Sequence, residues 1–227
     1  NEPLVRAMGG DIVPVPLYAS GGFNPNAAPG GSAELAVKYI EAGYAGVKPR
    51  VNANSDDEAV LRAVRDAIGP DARLMADVNE KGNIETASRL LAQAAEYGLD
   101  FIEEPLPSDD ILGYRRLAEK ASGVAIATGE HFQGLDRFVV CLEDGIAGVI
   151  QPDLAMAGGL TPCLEVARIA AAKGVIVAPH FLPGLFVHLS GTFDGQLLLE
   201  EFPIIEDVFE GWPERDNAGV LQARECA

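Results

Sequence analysis

Eight short β-rich runs alternate with Ala/Leu-rich amphipathic stretches along nearly the whole chain, and this alternation constrains the fold more than any other feature. The β-rich runs are 13–18, 45–51, 73–78, 100–104, 124–128, 147–151, 175–178 and 197–200. Helical patterns fill the gaps at 32–42, 55–68, 84–97, 111–121, 135–143 and 161–173, with the weakest at 185–192. Ser32 is placed to cap the first helix, and Ser55 precedes the acidic turn Asp56, Asp57, Glu58, which suits a helix dipole. Gly98, Gly123 and Gly174 follow helices at the position where a left-handed residue ends one. Strands joined by helices must run parallel. At this length a closed β/α barrel and a doubly wound open sheet compete. Even spacing favours the barrel, as does the lack of a GxGxxG or GxxxxGK[ST] phosphate loop. The expected fold is therefore α/β, a TIM-like barrel over 11–210. Residues 1–10 read as a helix end and Gly-Gly linker from another domain, and 211–227 as a tail without periodicity.

Composition narrows the partners. With 17 basic and 34 acidic residues the net charge is −17, which argues against nucleic acid and against anionic membrane surfaces. No run approaches the roughly 20 apolar residues that span a bilayer. Cys141, Cys163 and Cys226 are odd in number and lack CxxC spacing, so they read as reduced thiols of a cytoplasmic protein. A small-molecule ligand is the expectation that remains.

In a β/α barrel the chemistry sits at the C-terminal ends of the strands. Seven consecutive strand ends here carry ionisable groups. Asp77, Glu103 and Glu130 lie 26 and 27 residues apart, one β/α unit each. Adjacent strands are about 4.8 Å apart, so three such carboxylates can converge on one ion. An all-oxygen set suits a hard divalent cation, Mg²⁺ above all; the alternative is three solvated acids. Asp153 and His180 are also one unit apart, the arrangement of a carboxylate that fixes an imidazole as a base, or of a structural rim histidine. Lys48 and Arg50 end the second strand, across the ring from the sixth, and would flank a ligand from the opposite side. Arg50 is a poor proton acceptor and a good carboxylate clamp. Glu200 on strand eight stands away from the proposed metal, where a protonated carboxyl could donate to a developing oxyanion. Arg50, Asn79 and His131 are the expected substrate contacts, and His188, in an apolar stretch, reads as structural.

The ordered set Lys48-Pro49-Arg50, Asp77-Val78-Asn79, Glu103-Glu104-Pro105, Gly129-Glu130, Gln151-Pro152-Asp153 with Gly158-Gly159, Pro179-His180 and Leu199-Glu200 resembles the enolase superfamily, mandelate racemase subgroup. The resemblance runs from about Asn1 to Glu210. It implies a modified (β/α)7β barrel, with the N-terminal capping domain absent from this chain and residues 1–10 similar to its final helix. It implies Mg²⁺ on Asp77, Glu103 and Glu130, an Asp153–His180 base, Lys48 as the first lysine of the strand-two pair, and Glu200 as the electrophile. It implies abstraction of a proton α to a carboxylate, and a homo-oligomer.

Two departures shape the expected reaction. Arg50 stands where racemases of this group carry a second lysine, which leaves one base and points to a sugar-acid dehydratase acting on an aldonate or aldarate. The product would be a 2-keto-3-deoxy acid. The alternatives are a racemase or epimerase using Lys48 as second base, and a non-catalytic barrel that binds a sugar acid. Pro49 removes a ladder donor and marks the end of its strand.

Overall fold

The computed structural model describes residues 2–224 apart from Ser122 and Ile205; Cys226 lies outside them. The elements run α1 (Leu4–Ala7), β1 (Val15–Ala19), α2 (Pro29–Glu41), β2 (Gly46–Val47), α3 (Asp57–Ile68), β3 (Arg73–Asp77), α4 (Ile84–Glu96), β4 (Phe101–Glu103) and α5 (Ile111–Ala118). Then follow β5 (Ala125–Thr128), α6 (Leu135–Glu143), β6 (Val149–Ile150), α7 (Leu154–Ala157), α8 (Leu160–Ala172), β7 (Ile176–Val177), α9 (Pro183–Phe186), β8 (Leu199–Glu201) and β9 (Val220–Leu221).

The first eight strands are parallel in the order β7-β6-β5-β4-β3-β2-β1-β8. Val177 closes the ring: its N–H donates to Gln196 O and its carbonyl accepts from Leu198 N, both at 3.0 Å. The expected barrel is thus observed.

Alternation along the strands separates two cores. Leu17, Val47, Leu74, Ile102, Ile126, Ile150, Val177 and Leu199 face the helices. Tyr18, Met75, Phe101, Ala127, Val149, Ala178 and Leu198 fill the barrel. Side chains two residues further along a strand return to the same face. Ser20, Asp77, Glu103, Gln151, His180 and Glu200 each lie two residues past one of those interior residues. A polar layer therefore sits directly above an apolar plug.

Several boundaries differ from expectation. Residues 13 and 14 stay outside β1, and β2 stops before Pro49, which cannot donate to the ladder. The α2 helix begins at Pro29 in the first-turn position rather than after Ser32, which is buried within it. Asp56, not Ser55, precedes α3. The unforeseen α7 is a single turn capped by Asp153. The stretch at 185–192 resolves into α9 and a 3₁₀ turn at Val187–Leu189, because Pro183 fixes an earlier start. Beyond Glu210, where the sequence shows no period, β9 pairs antiparallel with β1 and buries Leu221. Cys141 and Cys163 are free and buried. Among the described residues no helix is long and apolar enough to cross a membrane.

Candidate active site

The strand register brings the charged residues to one mouth. Asp77 pairs in register with Glu103, and Glu200 with Tyr18. Lys48, Asp77, Glu103, Glu130, Asp153 and Glu200 are all buried. Burying so many charges is tolerable only if they neutralise one another or hold an ion.

Lys48 is the central cation. Its ammonium pairs with Glu103, lies 2.7 Å from Glu200 Oε1, and sits 5.4 Å from the centre of the Tyr18 ring. Burial disfavours its charge, but Glu103 and Glu200 outweigh burial and hold it well above the ordinary lysine range. For Glu200 burial pushes upward, yet Lys48, His180 and the Ser20 hydroxyl bring it down to about 2. Glu200 also accepts from Ser20 Oγ and, at 3.0 Å, from Phe181 N. The carboxyl expected to be neutral and donating thus lies against the Lys48 ammonium, which favours its ionised form.

Glu103 shows the opposite balance. Burial raises it, Lys48 opposes, and the carboxylates of Asp77, Glu200 and Glu130 add to the rise. Lys48 thus does not offset burial together with the neighbouring carboxylates. Gln151 Nε2 also donates to Glu103. Arg50 grips Asp77 Oδ2 from Nε at 3.0 Å and from a terminal nitrogen at 2.8 Å. Asn79 N donates to Asp77 Oδ1 at 2.8 Å, and Asn79 Nδ2 lies 3.4 Å from Glu130 Oε1. Glu130, pushed up first by burial, has His180 Nε2 at 3.3 Å and His131 Nδ1 at 3.4 Å.

The three expected ligands share this mouth, but their oxygens do not all lie within 4.8 Å of one another. Ligands at about 2.1 Å in an octahedron are about 3 to 4 Å apart, so side-chain rotation would have to draw them in. The donor set fits a hard divalent cation: three carboxylates from consecutive strands, with a surplus of negative charge. The group that does lie within 4.8 Å is Glu80, Glu104 and His131, which the sequence reading did not assemble.

Asp153 and His180 meet as expected. Asp153 Oδ2 takes the His180 Nδ1 hydrogen at 2.9 Å, while Oδ1 accepts from Ala155 N at 2.8 Å and Met156 N at 2.9 Å. The helix cap therefore locks the carboxylate that orients the imidazole. Burial lowers His180, but Asp153, Glu200, Glu130 and Glu103 reverse this and push it up to about 9. His131 sits on the rim with Nδ1 on Glu104. His188 lies apart, with a buried Nδ1 that has no hydrogen-bond partner among the described residues. Ser20 and Gln151 were missed as members of the site; their place two residues beyond Tyr18 and Val149 was the available signal.

Comparison with known proteins agrees with this architecture. Residues 31–225 match the enolase C-terminal domain-like family. The L-talarate/galactarate dehydratase of Salmonella typhimurium is 32% identical over 210 residues, covering 91% of this chain and 52% of that protein. The D-gluconate dehydratase of Thermoproteus tenax is 31% identical over 237 residues, covering 96% of this chain and 46% of that protein. The structure of L-talarate dehydratase from Polaromonas sp. JS666, complexed with Mg and L-glucarate, superposes with a TM-score of 0.90 at 29% identity, covering 99% of this chain and 63% of that one. The chain spans about half the length of the curated relatives it matches. Closed parallel barrel, polar mouth and matched sequence together establish that this chain belongs to the enolase C-terminal domain-like family.

Proposed function

We propose that this barrel carries the active site of a Mg²⁺-dependent sugar-acid dehydratase, which removes the proton α to a carboxylate and expels the β-hydroxyl as water. The observation that carries the reading is the Asp153–His180 pair, fixed at 2.9 Å by a capped carboxylate and facing the carboxylate-lined mouth. The dehydratase relatives and the sugar-acid complex of the Polaromonas enzyme support it.

Asp77, Glu103 and Glu130 would hold the Mg²⁺. When bound, the cation supplies positive charge against the substrate carboxylate. His180 Nε2 accepts the α proton, with Nδ1 anchored on Asp153; a cation held by Glu103 and Glu130 would offset the carboxylates that otherwise favour the imidazolium and so free Nε2 as a base. The C–H electrons move toward the carboxylate carbon, and negative charge grows on its oxygens. The Lys48 ammonium, held charged by Glu103 and Glu200, faces that charge. The β C–O bond then breaks, the hydroxyl leaves as water with the proton carried by His180, and the enol product tautomerises to the 2-keto-3-deoxy acid. Arg50, Asn79 and His131 line the rim where the substrate's polar groups would lie.

Epimerisation needs a second base on the opposite face. Lys48 is paired with two carboxylates and Arg50 with Asp77, so neither is poised to take a proton. A binding-only barrel predicts sugar-acid binding with no product, which the same test reads. The test is a panel of aldonic and aldaric acids with Mg²⁺ and the full-length protein, with semicarbazide trapping 2-keto products. Product that disappears with EDTA and in His180→Asn supports dehydration. No product from any acid, with Mg²⁺ shown bound, contradicts it.

A further inference from the structure

Glu104 has no part in the reaction just described, yet it is fully buried beside Glu103. Its φ of +39° is left-handed, a conformation that costs a non-glycine residue about 1–3 kcal/mol. Glu103 reaches Lys48 and Gln151, whereas Glu104 reaches His131. The two Glu104 oxygens lie 2.8 and 3.0 Å from His131 Nδ1, and His131 is their only hydrogen-bond partner among the described residues.

This pair repeats the design of the base. Glu104 and His131 are separated by 27 residues, as are Asp153 and His180. Both imidazoles converge on Glu130, with His131 Nδ1 3.4 Å from Oε1 and His180 Nε2 3.3 Å from Oε2. The His131 ring is 40% exposed, and its Nε2 makes no hydrogen bond among the described residues. A buried carboxylate is costly, and an apolar side chain of similar volume would fill the same space without that cost. Holding His131 accounts for the carboxylate. Glu80 completes the cluster but is committed elsewhere, to the Ser108 N–H.

We propose that Glu104 is a positioning residue, which holds His131 so that Nε2 meets a hydroxyl of a bound polyhydroxy carboxylate. His180 then works from one oxygen of Glu130 and His131 from the other. This rests on the sugar-acid reading above.

The test uses the full-length protein with galactarate and D-gluconate as probes. Glu104→Leu is expected to raise KM about tenfold, as the loss of one good ligand hydrogen bond would, with a smaller change in kcat. Glu104→Gln restores most of it, because the amide oxygen still accepts from Nδ1. In a His131→Ala background Glu104→Leu adds nothing further. Equal losses in both backgrounds, or a loss of Mg²⁺ affinity, would overturn the assignment. His131→Ala alters only a half-exposed ring, so an unmoved KM in that variant overturns it even if the leucine variant fails to fold. One arm is independent of turnover: in ligand-free protein the ¹⁵N resonances of His131 shift in Glu104→Leu, and unchanged resonances refute the positioning role. Should the wild type bind neither probe nor any other sugar acid, the sugar-acid reading and the ligand assigned to His131 fall together, while the nitrogen resonances still report whether Glu104 holds the ring.

Discussion

Replacing Lys48 by methionine keeps most of the side chain's length and removes the one cation shared by Glu103 and Glu200. Glu200 gives the scale of the effect. Burial pushes it up, yet Lys48 leads the groups that bring it from 4.5 to about 2. A carboxyl displaced that far contributes about 3 kcal/mol to stability in its ionised form. Breaking a buried ion pair by removing one partner costs about 3–5 kcal/mol. On the ion-pair figure, Lys48→Met should lose about 3–5 kcal/mol at pH 8. For a domain of this size the unfolding midpoint would fall by about 10 °C. The pH dependence is specific. In the wild type Glu200 is depressed when folded, so its contribution is present above about pH 4.5 and is lost as pH falls toward 2. In the variant Glu103 loses the ammonium that opposes burial and its carboxylate neighbours, so the penalty of ionising it grows as pH rises past about 4.5. The defect should be larger at pH 8 than at pH 5. Urea unfolding followed by circular dichroism in EDTA measures both. Glu200→Gln in the Lys48→Met background should recover part of the loss. A variant within about 1 kcal/mol of wild type at pH 8, or a defect equal at the two pH values, would refute the reasoning.

Other consequences are narrower. Asp153→Asn should lower kcat about 10²–10⁴-fold, the usual contribution of a positioned base, with sugar-acid affinity changed far less; steady-state kinetics and calorimetry together check this. Burial pushes the Cys141 and Cys163 thiols up to about 12, so at pH 8 only about one in 10⁴ is thiolate. In a Cys226→Ser background a thiol reagent should therefore label the unfolded protein and not the native one, and rapid native labelling would contradict the packing. Gly46→Ala would place its Cβ 2.5 Å from Arg73 Cβ and 2.6 Å from Arg73 O. Thermal melts should show a loss of about 1–3 kcal/mol, and an unchanged melt would count against the close approach of β2 and β3.

The sequence revealed what depends on periodicity. Period-2 alternation carried the site, because the residue two positions past an apolar interior residue faces the same mouth, as Met75 with Asp77 and Phe101 with Glu103. The Asp153–His180 contact followed from the one-unit spacing. What stayed hidden was decided by backbone conformation and by three-dimensional charge balance. Glu104 is silent in the motif because a left-handed φ sends its carboxylate to the next strand end. The contact that favours ionised Glu200 comes from Lys48, 152 residues away in sequence. The β9 strand has only two residues, Val220–Leu221, too few for any period to show. Pro29 outcompeted Ser32 for the start of α2 because a fixed φ preorganises the first turn.

The most direct test follows the α proton itself. Full-length wild type and His180→Asn are incubated with Mg²⁺ and the preferred sugar acid in D₂O, and 2-keto acid is measured beside the deuterium content and configuration of recovered substrate. The account predicts 2-keto acid from the wild type, none from His180→Asn, and recovered substrate of unchanged configuration. Inverted, α-deuterated substrate without 2-keto acid, or undiminished product in His180→Asn, would contradict it.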